Sequence, residues 1–362
     1  MALKRLEVGL IGLVVALGCS TEQKSPKRKA GQRVQTVAAT TKGGGADINP
    51  RLLRRFKPAR EVIGGQGNDL NKAKVELGRQ LFHDARLSAR RQHSCNDCHR
   101  LTEYGADGRK VSPGGNRNAP TVFHAASHFE FSDGKAKTIE EQALDALLSP
   151  RQSGAPSEEY VLEELEAIPA YVSAFRAAFP GEAQPLTFAN VGNAIGAFER
   201  HLTSKSRWDA FLGGDPSALQ AEEAEGLKLF LNLGCAVCHT GEDLGGTMYE
   251  KLGAVERWPN QRDQGRYEVT RKDADRMIFK VPTLRNVAET GPYFHDGGTG
   301  DLSTAVTLMA KHQIGMKLEP AEVDSIVAWL KTLTGQISET QTAMPNLPSG
   351  GTRTVSDDAQ KP

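Results

Sequence analysis

Two pentapeptides constrain this chain more than anything else in it: Cys95-Asn96-Asp97-Cys98-His99 and Cys235-Ala236-Val237-Cys238-His239. Each is a C-x-x-C-H run, the attachment signature of a c-type haem. Two intervening residues let one helical turn set both thiols along a porphyrin edge, where they add to the vinyl groups. The histidine that follows is carried under the iron as proximal ligand. Together the two runs use four of the chain's five cysteines. Structural zinc sites usually pair such clusters at short separation, and these two lie far apart. A thioredoxin-type C-x-x-C needs a βαβ context, and none is visible. Two covalent haems are the reading that remains.

The chain has 362 residues, enough for two domains. Its net charge is +1 with the signs interspersed, so nothing in it points to nucleic acid. Aromatic content is only 6% and Gly is abundant, so the side-chain core is modest and two buried porphyrins would supplement it. At the start, Lys4 and Arg5 precede an apolar run, Gly9 to Leu17, that is too short to span a bilayer. Ala16-Leu17-Gly18-Cys19 resembles a bacterial lipoprotein signal, in which the cysteine is lipidated after cleavage. Ala16 stands where Leu is usual, and an ordinary secretory signal with Cys19 incidental is the alternative. Either exports the chain to the periplasm, in keeping with haem attachment outside the cytoplasm. Ser20 weakly favours an outer-membrane anchor through Cys19.

Residues 1–19 are thus read as the signal and residues 20–50, with almost nothing apolar, as a flexible tether. An N-terminal cytochrome c domain takes 51–205, a C-terminal one 206–336, and a disordered tail 337–362. Apolar spacing predicts helices from Lys72 to Phe82, from a Thr138/Glu141 capping box to Leu148, and from Phe188 to Leu202. Val161 to Phe179 is helical with a break at Pro169, and Arg207 to Pro216 reads as a connection. Further helices run from Ala221 to Leu233, Leu302 to His312 and Pro320 to Leu333. Each half repeats one order: helix, C-x-x-C-H, long irregular segment, helices. That is the order of a small class-I cytochrome c domain used twice, and the fold class is mostly α.

Around the two haem runs stand Leu77-Gly78-Arg79-Gln80-Leu81-Phe82, Asn118-Ala119-Pro120-Thr121, Glu140-Glu141-Gln142-Ala143, Val281-Pro282-Thr283-Leu284-Arg285-Asn286 and Pro292-Tyr293-Phe294-His295-Asp296-Gly297. As an ordered set, from about Val75 to Gly335, they resemble the bacterial di-haem cytochrome c peroxidases, in the superfamily that also holds the MauG-type enzymes. The resemblance implies a peroxidatic haem on His99 and a high-potential electron-transfer haem on His239. It implies Met309 as second axial ligand of the latter, with Met316 its rival. It implies a calcium ion held by Asn118 and by the backbone carbonyls of Thr290 and Pro292, and Glu140 as the acid–base residue of peroxide cleavage. The implied substrate is hydrogen peroxide, the donor a small cytochrome c or cupredoxin, and the assembly a homodimer.

Two departures from the family pattern matter. No histidine lies between His99 and Asn118, where many members carry one that caps the peroxidatic iron, so no reductive activation is expected. His124 and His128 stand nearby as substitutes. The family's inter-haem tryptophan is also missing: Ser132 stands in its place, and Trp208, Trp258 and Trp329 all follow the first half. A MauG-like oxidase acting on a partner protein is a competing function, although Met309 replaces the tyrosine ligand typical of that type. A non-catalytic electron carrier is another, and the absent loop histidine speaks against it.

Overall fold

The computed structural model describes residues 48–65, 67–126 and 129–350, so the signal, the tether up to residue 47 and His128 lie outside the described residues. The longer helices are α1 (Lys72–His83), α2 (Ile139–Leu148), α3 (Glu158–Glu166), α4 (Pro169–Ala178), α5 (Phe188–Glu199), α6 (Arg207–Leu212), α7 (Ala221–Asn232), α8 (Leu302–Met309) and α9 (Pro320–Lys331). Strands are minimal. β1 (Lys205–Ser206) pairs antiparallel with β4 (Gly335–Gln336), and β2 (Tyr249–Lys251) with β3 (Ile278–Lys280). Among the described residues no helix is long and apolar enough to cross a membrane.

Local chemistry sets the helix ends. Asn71 caps α1 by accepting from the Lys74 amide at 2.9 Å. Thr138 caps α2 by accepting from the Glu141 amide at 3.1 Å, while the Glu141 carboxylate reaches back one residue further than expected, to the Lys137 amide. Pro169 separates α3 from α4 and occupies the first turn of α4, where its missing N–H leaves no helix bond unmade.

The internal repeat is visible in the packing. In the first half, α1 crosses α5, and a Cβ on Gly78 would sit 1.8 Å from the Ala194 carbonyl oxygen. In the second, α7 crosses α9, and a Cβ on Gly226 would sit 1.8 Å from that of Ser325. In each half, therefore, the helix that leads into C-x-x-C-H meets the last helix of that half at a contact only glycine allows. The buried stripe Leu77, Leu81 and Phe82 of α1 joins Val191, Ile195 and Phe198 of α5 in one core. Leu227, Phe230 and Leu231 of α7 join Ile326, Trp329 and Leu330 of α9 in the other.

The halves exchange their ends, which corrects the expected boundaries. Residues 50–60 belong to the second core: Phe56 packs edge-on against Trp208 with centroids 5.3 Å apart, and the Ala59 amide donates to Asp209 Oδ1 at 2.7 Å. Of the tail expected to be disordered over 337–362, residues 337–350 instead run back over the first half, and 351–362 lie outside the described residues. Ile337 packs on the first core, and Gln341 Nε2 donates to the carbonyls of His201 and Thr203 at 2.9 and 2.8 Å. Composition hides this order, because side chain-to-backbone hydrogen bonds supply it rather than apolar bulk. Arg207 to Pro216, expected to be a connection, holds α6, which is capped by reciprocal hydrogen bonds between Ser206 and Asp209.

Candidate haem sites

At the first site, Asp97 Oδ2 accepts from the amide and hydroxyl of Ser94 at 2.7 and 2.8 Å and starts the single turn Cys95–Cys98. The turn sets the two thiols at its ends, and the His99 amide donates to the Cys95 carbonyl at 2.9 Å. The His99 ring is then pinned, with Nδ1 2.9 Å from the Pro120 carbonyl and 3.3 Å from that of Gly105. A carbonyl only accepts, so Nδ1 carries the proton and the Nε2 lone pair is left for a metal. Burial lowers the pKa of His99 and favours the neutral, ligating imidazole. Burial also pushes both thiols up, so neither reads as a reactive thiolate in its own right.

The second site repeats the arrangement. Gly234, at φ 87°, opens the turn Cys235–Val237, and His239 Nδ1 donates to the Leu244 carbonyl at 3.1 Å. Burial lowers the pKa of His239 and pushes the Cys235 thiol up to about 12. Two thiols on one turn beside a buried imidazole with a free nitrogen fit a covalently attached haem at each site. Among the described residues no cluster of three or more His, Cys, Asp or Glu side chains offers another metal a home.

A buried polar network joins the segments that hold the two histidines. His124 lies four residues beyond Pro120 and is 1% exposed. Its Nε2 accepts from the Ser204 amide at 2.9 Å, and its Nδ1 lies 3.2 Å from Asp243 Oδ1, next to the Leu244 carbonyl that holds His239. Nε2 is taken by the Ser204 amide while Nδ1 faces Asp243 without a hydrogen bond, and in this buried place the structure does not bring His124 forward as an iron cap. Arg285, also 1% exposed, grips both oxygens of Asp209 at 2.9 and 3.0 Å and donates to the Glu242 carbonyl at 2.7 Å.

Glu140 stands in the first turn of α2. Oε1 accepts from Arg200 Nε at 2.8 Å and from Asn68 Nδ2 at 3.0 Å, and Oε2 accepts from Arg200 Nη2 at 2.9 Å. Burial pushes its pKa up, but the Arg200 and Asn68 hydrogen bonds outweigh it, and the carboxyl ends below the usual range. Glu199 is the residue that sequence reasoning missed. It is 3% exposed, and its Oε2 has no hydrogen-bond partner. Burial first, then the charges of Glu130 and Glu140, push its pKa well above the ordinary value. Glu199 and Cys95 are near enough to interact electrostatically, which puts Glu199 in the neighbourhood of the first attachment turn. The signal was present: Val191, Ile195 and Glu199 follow one another at helical spacing on the apolar face of α5.

Met309 ends α8 half-buried, and the π turn Ala310–Ile314 follows it, with the amide of Met316 donating to the Ala310 carbonyl at 2.9 Å. π turns of this kind are frequent at functional positions. The Asn118 amide donates to the His295 carbonyl at 2.8 Å and its Nδ2 to that of Arg109 at 2.8 Å. Oδ1 is left as an acceptor beside the loop that carries Thr290 and Pro292. At the Ser132 turn the aromatic body comes from elsewhere: Tyr249 packs against Gly134 and lies 4.5 Å from Phe129.

Two helical halves, each centred on a C-x-x-C-H turn with a pinned histidine, define a di-haem c-type cytochrome. The family model for di-haem cytochrome c peroxidase matches residues 72–217, and that for cytochrome c matches residues 223–334. The cytochrome c551 peroxidase of Pseudomonas aeruginosa is 40% identical over 294 residues, covering 78% of this chain and 84% of that protein. The methylamine utilization protein MauG of Methylorubrum extorquens is 31% identical over 315 residues, covering 82% and 88%. A crystal structure of a MauG-like protein associated with microbial copper homeostasis superposes with a TM-score of 0.71 at 27% identity, covering 83% of this chain and 98% of that one. The chain belongs to the di-haem cytochrome c peroxidase family and is an oxidoreductase acting on peroxide.

Proposed function

We propose that this protein reduces hydrogen peroxide to water at the haem on His99, with electrons that enter through the haem on His239 from a small cytochrome c or cupredoxin. The balance is one peroxide, two electrons and two protons to two waters. The haems, when bound, supply the electron transfer and the iron at which peroxide is cleaved. The observation that carries the reading is the burial of His124 with its Nε2 held by the Ser204 amide. It accords with a loop that holds no histidine between residues 99 and 118 to cap the first site.

The protons are the business of Glu199 and Glu140. The two carboxyls are close enough to feel one another's charge and that of Arg200, and their environments push their pKa values apart. That is the pattern of an acid–base pair. Burial and its carboxylate neighbours favour the protonated form of Glu199. Glu140 stays ionised against Arg200 and keeps that proton in place electrostatically, or takes one as Glu199 gives its own. Met309 would supply the second ligand of the iron on His239, where a thioether would raise the potential and suit a relay.

The same reading includes a calcium ion held by Asn118 Oδ1 and the carbonyls of Thr290 and Pro292, an oxygen set right for a hard cation. It includes export to the periplasm with a lipid on Cys19, a homodimer, and one haem domain in each half. Rapid mixing of the fully oxidised protein with peroxide tests the central point. An immediate spectral change at the His99 haem is expected. A change seen only after prior reduction by one electron would mean that another group, with His128 the first candidate, caps that iron.

A further inference from the structure

The two attachment turns differ at the surface. Between its cysteines the first carries Asn96 and Asp97, whereas the second carries Ala236 and Val237, and Val237 is 65% exposed. An exposed apolar side chain between two haem-bearing thiols puts a water-shedding contact at the edge of the haem on His239. Electron transfer decays steeply with distance, so a donor gains most by pressing its own cofactor edge against such a point.

One side of this point carries a run of basic residues. Residues 50–60 lie along the attachment loop: the Gly241 amide and the Thr240 hydroxyl each donate to the Arg55 carbonyl at 2.8 Å, and Arg55 Nη1 donates to the Ala236 carbonyl at 3.2 Å. Between residues 48 and 60 there are five basic residues, Arg51, Arg54, Arg55, Lys57 and Arg60, and no acidic one. Arg51, Arg54, Lys57 and Arg60 are exposed. Arg60 is taken by Glu242 at 2.7 Å, whereas among the described residues no ion pair engages Arg51, Arg54 or Lys57. The opposing charge nearby is Glu250, whose field reaches Cys238. With a net charge of +1 over the whole chain, this rim is a local concentration of charge, not a reflection of the whole.

We propose that Val237 and the basic strip of Arg51, Arg54 and Lys57 form the docking surface for the electron donor, and that the donor is a small redox protein whose exposed cofactor edge is ringed by carboxylates. The proposal rests on the peroxidase reading above and adds the sign of the partner. An apolar centre within a charged rim is the anatomy of a transient electron-transfer contact: the rim steers the encounter and sets its salt dependence, and the centre sets the distance. The exchange of chain ends explains how the strip reaches this place, since residues 50–60 leave the first half to cover the second haem's loop.

The test uses the haem-loaded protein and two probes, a small cytochrome c of net negative charge and a mitochondrial-type cytochrome c of net positive charge. Binding is measured by calorimetry at low and high salt, and peroxide-dependent oxidation of each by kcat/KM. Hydroquinone, which needs no protein docking, reports the haem sites separately. The acidic cytochrome should bind more tightly, lose affinity with salt, and lose about tenfold or more in Kd with Arg51→Glu/Arg54→Glu, within the range that electrostatic steering spans. Arg54→Glu/Lys57→Glu should do the same. Tighter binding of the basic cytochrome, or an unchanged Kd in both double variants, overturns the docking surface. Absence of peroxide turnover with hydroquinone overturns instead the peroxidase reading on which it rests.

Discussion

Replacing Glu199 by Gln should make the protein more stable and much slower. The side chain is almost completely buried with one oxygen unpartnered, and burial together with Glu130 and Glu140 raises its pKa well above the unfolded value. Between the unfolded pKa and the folded one, the native state holds a proton that the unfolded state has released. Stability of the parent therefore falls as pH rises through that window, by about 1.4 kcal/mol per pH unit. A glutamine keeps the shape of the protonated acid and does not titrate, so Glu199→Gln escapes this loss. At pH 4 the two proteins should match, and their difference should then widen by roughly 2–4 °C in Tm for each kcal/mol. Peroxide reduction should meanwhile drop by about a hundredfold or more, the usual worth of a general acid–base group. Thermal unfolding from pH 4 to 8, together with turnover of the same samples, checks both halves. A variant with a parallel pH–stability curve would show that Glu199 is ionised in the fold. Full activity would remove it from the proton path.

Arg285→Met should cost about 3–5 kcal/mol, because it leaves the Asp209 carboxylate buried without its partner. In the parent, burial raises the pKa of Asp209 and Arg285 more than reverses this, so stability is lost as pH falls through the depressed folded value. In the variant only the hydrogen bonds from Ala59 and Ser206 remain to oppose burial, so that loss of stability in acid should shrink, which urea unfolding across the acid range would register. Met309→His should abolish the thioether-to-iron band at the red end of the visible spectrum and lower the potential of that haem. Loss of the band in Met316→Ala but not in Met309→Ala would move the ligand to Met316. Cys95→Ala/Cys98→Ala should remove one haem from the denatured mass and end peroxide turnover. A mass still carrying two haems would refute attachment there.

What could be read in advance follows from the range of the forces involved. The haem turns were legible because covalent attachment demands fixed spacing, and α1, α5, α7 and α9 because each must bury one apolar stripe. Residues 50–60 and 337–350 were not legible as parts of the opposite halves. Phe56 and Ile337 are single apolar residues in polar stretches, and their partners are set by the path of the chain rather than by any period. Thr138 and Glu141 announced α2, yet nothing local tells that Arg200, sixty residues on, would clamp both oxygens of Glu140. The role of His124 likewise depends on Ser204 and Asp243, which approach it only in the folded chain. The Glu199 case is different, since its spacing on the apolar face of α5 was open to view. A carboxylate in that position is the kind of local conflict that marks a working site.

The central claim is an accessible iron on His99 beside a six-coordinate iron on His239. Electron paramagnetic resonance of the fully oxidised protein at neutral pH tests it directly, because it counts the two haems by spin state in one spectrum. One high-spin and one low-spin signal in equal amounts, the high-spin one lost in Cys95→Ala/Cys98→Ala, is the predicted result. Two low-spin signals would mean that a side chain closes the first site, and would contradict the account.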